Sequence, residues 1–207
     1  MPSHANHPDS PPASTARGAR LNERRSLALI TLVPLVLVLA ADQIVKRIVE
    51  THMTVGQRID VIGSFVQWHF IKNPGAAFSL GANSTVIATV LAAAVTVIVA
   101  VVAVRSRVRA WSLAAGLILG GALGNLWDRL FREPGFAEGH VVDFIGVGTF
   151  PRFNIADSAV SVGVALAVLL LLRGIDPWPS RGGDAADRTP SMPSARHAAP
   201  TATEESR

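Results

Sequence analysis

The sequence predicts a mainly α-helical membrane protein: four transmembrane helices, a small sheet in an outer loop, and polar tails without packed structure. Three observations predict it. Hydrophobic residues make up 49% of the 207 residues and charged residues only 16%, whereas roughly a quarter of an ordinary soluble domain is charged. The apolar residues gather into four stretches near the ~20 residues that a helix needs to cross the hydrocarbon core. Arginines flank these stretches on alternate connections, the pattern that the positive-inside rule gives a multi-pass chain.

Taken in order, residues 1–25 are rich in Pro, Ser, Ala and Arg and read as a disordered tail. A four-span unit follows over residues 26–173. Its first helix is expected at 26–49, with an uncharged run Leu27–Ala41 and then Asp42 and Lys46. Arg24-Arg25, the apolar run and Ala40-Ala41 also mimic a cleavable signal peptide. The helical pattern continues past Ala41 through Ile44, Val45 and Ile48, which favours a retained span. The outer loop 50–85 alternates over Arg58–Ile62 and Ser64–Ile71, with β-branched and aromatic residues suited to short strands. Asn73-Pro74-Gly75 then reads as a turn. The second helix, 86–104, is uncharged and rich in Val and Ala; the third, 110–127, carries many small residues. A second outer loop covers 128–154, with Pro134, Gly135 and Gly139 in a segment that could lie over a site as a lid. The fourth helix is expected at 155–172, and residues 174–207 read as a second disordered tail.

Composition excludes several functions. The chain has no cysteine, so thiol nucleophiles, thiolate metal sites and disulfides are ruled out. The net charge of +4 comes mostly from arginine, Lys46 and Lys72 being the only lysines. Those arginines cluster beside apolar segments, so orientation explains them without nucleic acid. Arg17, Arg20, Arg24 and Arg25, then Arg105, Arg107 and Arg109, then Arg173 and Arg181 all fall on one side. That side is expected to be cytoplasmic, with both termini inside and both longer loops outside.

Acids at hydrocarbon depth are costly and point to function. Asp143, between Val142 and Phe144, and Asp157, at the start of the fourth helix, lie fourteen residues apart and could meet across a short re-entrant loop. A facing carboxylate pair would share a proton and could activate water while protonating a carbonyl. The plainer alternative makes Asp157 a helix-capping residue and Asp143 a loop acid. Asp42 and Lys46 have the spacing of an intrahelical ion pair, which suggests support. Asn73 either closes a tight connection or lines a substrate groove. Gly120-Gly121-Ala122-Leu123-Gly124 permits close helix approach. Asn125 and Asp128 share one face beyond it, and Arg129 is a ready partner for an acid. Asn154 is placed to cap the fourth helix.

Asp42…Lys46, Asn73-Pro74-Gly75-Ala76-Ala77-Phe78, Gly124-Asn125-Leu126-Trp127-Asp128-Arg129, Val142-Asp143-Phe144 and Phe153-Asn154-Ile155-Ala156-Asp157-Ser158 occur in this order. Together they resemble the signature blocks of bacterial lipoprotein signal peptidase (signal peptidase II), over about residues 26–172. The resemblance implies an aspartic endopeptidase of the inner membrane with four spans and an extracytoplasmic β-cradle. It implies prolipoprotein substrates, cut before a cysteine carrying diacylglycerol, with Asp143 and Asp157 catalytic. Asp42, Lys46, Asn73, Asn125, Asp128, Arg129 and Asn154 match the family's supporting polar positions. It implies contact with membrane lipids, a monomer, sensitivity to globomycin, and no cofactor or metal.

Two rivals remain testable. A small ion- or proton-coupled transporter would conduct ions without proteolysis, but the acids gather at one interface and no polar chain crosses all four helices. A non-enzymatic scaffold would tolerate Asp143→Asn and Asp157→Asn.

Overall fold

The computed structural model describes residues 13–75 and 84–178. Four helices, α1 (Ala13–His52), α2 (Ser84–Arg105), α3 (Arg109–Phe131) and α4 (Ile155–Leu172), are joined by three strands, β1 (Arg58–Ile62), β2 (Val66–Asn73) and β3 (Val141–Val147). All four helices are long and apolar enough to cross a membrane.

The helices assemble around α3, which packs against α1, α2 and α4. Just over half of its spanning window is buried (56%), against 11–22% for the other three. Lipid supplies no hydrophobic drive between helices, so close contact depends on small residues that let backbones approach. The glycines of α3 do this on two faces. A Cβ on Gly120 would fall 2.8 Å from Leu35 O and 2.9 Å from Val38 Cβ of α1; one on Gly121 would collide with Ala156 O and Val160 of α4. The run of small residues in the sequence is therefore the bundle's axis.

The sheet has the antiparallel order β1-β2-β3. Arg58 pairs with His69, Trp68 with Ile145, Ile71 with Asp143 and Asn73 with Val141. Its inner face closes on the end of α1 through Val49, Phe70, Val142 and Phe144, and the Trp68 ring stacks on Phe144 at 5.4 Å.

Several expectations change. β3 lies in the segment read as an outer loop: Val141-Val142-Asp143-Phe144 is a strand buried on both faces, where apolar residues run on without alternation. Asp143 therefore stands on a sheet rather than on a re-entrant loop. Within the expected tail at 1–25, residues 13–25 continue α1, and the segment contains the helix formers Ala, Arg, Leu and Glu. Residues 1–12 lie outside the described residues. At the other end, 174–178 fold back onto the α2–α3 connection: Trp111 Nε1 donates to Ile175 O at 2.8 Å, and Arg107 N to Pro177 O at 3.3 Å. The rest of that expected tail, 179–207, is outside the described residues, as is 76–83 of the motif that follows Gly75. Helix α1 passes unbroken through Ala41 and carries Asp42 and Lys46 at its far end.

Candidate active site

The site forms where the ends of α1, α3 and α4 meet β3, on the face opposite Val142 and Phe144. Backbone pairing sets the spacing of the two acids. After β3 the chain turns and Phe153 bonds back to the strand: Ile145 N donates to Phe153 O at 2.8 Å and Phe153 N to Ile145 O at 3.1 Å. Asn154 thus arrives beside Asp143 at the moment α4 begins. Its side chain accepts from Asp157 N at 2.9 Å and its own N–H donates to Asp157 Oδ2 at 3.1 Å, a reciprocal capping box. The same Asn154 amide donates to Asp143 Oδ1 at 2.7 Å. One fully buried residue therefore holds both carboxylates.

The second oxygen of each acid is also held. Asn73 Nδ2 donates to Asp143 Oδ2 at 2.8 Å, and Asn125 Nδ2 to Asp157 Oδ1 at 2.8 Å. Asn73 can reach because Asn73-Pro74-Gly75 makes the expected turn. Gly75 takes φ +99°, open mainly to glycine, and its N–H donates to Asn73 Oδ1 at 2.9 Å. Asp143 is 1% exposed. Burial pushes its pKa up to about 7; the Asn73 bond opposes the rise and the charge of Asp157 adds to it.

Asp42 and Lys46 form their ion pair at 2.7 Å, but the pair is part of a larger set. Lys46 Nζ is also 2.7 Å from Asp128 Oδ2 and donates to Asn125 Oδ1 at 3.0 Å. Asp42 Oδ1 accepts from Ala156 N at 3.0 Å, tying α1 to the first turn of α4. Asp128 accepts from Arg132 Nε at 2.6 Å and from Val142 N at 3.3 Å, and Arg132 pairs in turn with Glu50.

Arg129 is the exception. It was expected to pair with an acid such as its neighbour Asp128, yet Asp128 is engaged by Lys46 and Arg132 from other directions. The Arg129 guanidinium lies instead beside Gly75, within 3.6–3.7 Å of where a Cβ would stand. Its buried Nη1 has no hydrogen-bond acceptor among the described residues.

Sequence reasoning missed Arg132 with its partner Glu50, and three further contributors. Gln43 Nε2 bonds Asp42, Gly124 O and Asp128 at 3.1–3.2 Å; its place beside Asp42 was the available signal. Thr85 Oγ1 donates to Pro74 O at 2.7 Å, and Thr89 Oγ1 to Ala137 O at 2.9 Å. A threonine in an apolar helix carries no sign of which loop it will reach. Gly124 is constrained by the site itself, since a Cβ there would sit 2.7 Å from Asp42 Oδ2.

Comparison with known proteins gives a consistent result. Residues 34–173 match the family model described as signal peptidase (SPase) II. A lipoprotein signal peptidase of Leifsonia xyli subsp. xyli is 43% identical over 167 residues, covering 80% of this chain and 77% of its own length. Its counterpart from Rhodococcus jostii is 40% identical over 175 residues, 84% of this chain and 87% of that one. A solved bacterial membrane enzyme superposes with a TM-score of 0.62 at 30% identity, over 69% of this chain and 92% of the other.

Proposed function

This chain belongs to the signal peptidase II family, multi-pass proteases of the bacterial inner membrane that remove signal peptides from prolipoproteins, and on that premise we propose that Asp143 and Asp157 hydrolyse the bond as an aspartic pair. The observation that carries the proposal is the single Asn154 that bonds both acids where the helices meet the sheet. Held there, the pair shares one proton. A water between them loses a proton to the ionised carboxylate as its oxygen attacks the scissile carbonyl carbon. The protonated partner gives its proton to the carbonyl oxygen. The tetrahedral diol then collapses, and the C–N bond breaks as the nitrogen is protonated, releasing an acid and an amine.

The remaining residues position this pair. Lys46, Asp42 and Asp128 hold Asn125 and the first turn of α4; Asn73 holds Asp143; the Arg129 guanidinium beside Gly75 is a donor for a substrate carbonyl. Cleavage falls before the lipidated cysteine, whose acyl chains remain in the bilayer while an extended stretch lies along the sheet. The arginines at the opposite ends of the helices support a reading with both termini in the cytoplasm and the acids at the outer face. A monomeric enzyme and globomycin sensitivity belong to the same reading. So does the role of a lid for loop 132–140, fastened to α2 through Thr89 and to β2 through Lys72 and Glu133, 3.3 Å apart. Deleting Phe136–Glu138 should alter turnover, and unchanged cleavage kinetics would remove the lid.

The direct test follows signal-peptide release from a diacylglyceryl-modified prolipoprotein, comparing wild type with Asp143→Asn and Asp157→Asn. Wild type alone should cleave, immediately before the lipidated cysteine. Equal cleavage by either folded variant would take that aspartate out of the chemistry.

A further inference from the structure

At the end of the bundle opposite the aspartates, a cavity of about 880 Å³ opens between the start of α1 and the end of α2. Arg24 precedes Asp42 by eighteen residues of unbroken helix, or about 27 Å at 1.5 Å per residue, close to the ~30 Å hydrocarbon thickness. The cavity therefore sits at the second membrane interface. Arg20 and Arg24 of α1, Arg105 at the end of α2 and Arg107 just after it line the cavity, with Glu23 the one acid among the described residues there. Apolar lining comes from Leu27 and Leu32 on one side and Val104 on the other, with Thr31 the polar residue between the leucines. Leu32 and Val104 are 52% and 87% exposed, so this apolar lining continues onto the lipid-facing surface.

Orientation alone explains arginines on this side, but it requires no concavity. Here cations from two segments about eighty residues apart in sequence converge on one cleft, over a path for acyl chains. Basic pockets between transmembrane helices bind anionic headgroups. We infer that this cleft is a binding site for one anionic diacyl phospholipid. Its headgroup phosphate lies among Arg20, Arg24, Arg105 and Arg107, and its chains run down past Leu27, Leu32 and Val104. A lipid seated there bridges α1 and α2, which meet mainly through α3.

Native mass spectrometry of the detergent-purified full chain tests this, with phosphatidylglycerol titrated against phosphatidylcholine. Wild type should retain phosphatidylglycerol preferentially. Neutralising Arg20, Arg24, Arg105 and Arg107 together to Gln should weaken it by about 600-fold, from roughly fivefold for each of the four arginines at a membrane surface. Arg17→Gln/Arg173→Gln, at the same end but outside the cleft, should change it little. Ala28→Trp places an indole among the lining residues and leaves every charge in place, and it should also weaken lipid retention. Equal retention of both lipids overturns the inference. So does loss on Arg17→Gln/Arg173→Gln as large as that of the fourfold variant, or full binding by Ala28→Trp. Displacement by millimolar inorganic phosphate would make the ligand a soluble anion, and displacement by polyglutamate an acidic protein segment; either result defeats the lipid assignment. Signal-peptide release in detergent reports that each variant is folded.

Discussion

Lys46→Met removes the cation that Asp42 and Asp128 share inside the bundle. None of the three side chains reaches the surface, and both ion pairs measure 2.7 Å. Taking one partner from a buried pair costs roughly 3–5 kcal/mol, because it strands the other charge. Asp128 would still have Arg132 at 2.6 Å, so the stranded charge is that of Asp42, left with the Gln43 amide and the Ala156 N–H. That places the expected loss near the lower bound, about 3 kcal/mol. A chain of this size shifts roughly 2–4 °C per kcal/mol, which gives a Tm lowered by about 6–12 °C in thermal unfolding of the detergent-solubilised protein. Adding Asp42→Asn should restore much of the loss, since the double variant no longer buries an unbalanced charge. The substitution also frees Asn125, which holds Asp157, so kcat should fall more than KM rises. A single variant within about 1 °C of wild type, or no recovery in the double variant, would refute the reasoning.

Because Asp143 loses its proton near pH 7, kcat/KM should decline about tenfold per unit above that pH; a profile flat to pH 9 contradicts a shared-proton pair. Its folded pKa exceeds the unfolded value of about 3.9, so protonation favours the fold. That contribution is complete below about pH 4 and lost as pH rises through about 7. Asp143→Asn, which cannot titrate, should therefore gain Tm relative to wild type between pH 5 and pH 8, and a constant difference counts against the shift. Gly121→Val should drive α3 from α4 at Ala156 and Val160 and cost roughly 1–3 kcal/mol; an unchanged Tm would disprove the tight crossing. Thr89→Val removes the hydrogen bond to Ala137 O and should speed hydrogen exchange across 133–140, whereas identical exchange would show that the bond tethers nothing.

The helices were legible because membrane spans announce themselves by length and composition. The expected fourth helix, 155–172, coincides with α4, and β1 with Arg58–Ile62. The residues that cluster around Asp143 and Asp157 stood out in the motifs, but their pairing did not. Asp42 and Lys46 are one turn apart and gave their contact by local geometry. That Asp128 joins them depends on how α3 crosses α1, which no local pattern contains. β3 stayed hidden because a strand covered on both faces loses its period-two alternation, and flanking glycines and charges made it look like loop. The same absence of local signal explains Thr85 and Thr89, whose hydroxyls cap neighbouring loops from within an apolar helix.

The capping box at Asn154 has a consequence for biogenesis. Three spans and the sheet can be inserted before α4 emerges, yet without Asn154 and Asp157 one member of the pair is missing and the other lacks its partner. On the proposed aspartic-pair mechanism, a three-span intermediate would carry Asp143 alone and should be silent toward neighbouring polypeptides at the insertion machinery. Nucleation of the last described helix and assembly of the acid pair use the same hydrogen bonds. On that mechanism proteolytic competence would arise in one step, on completion of the bundle.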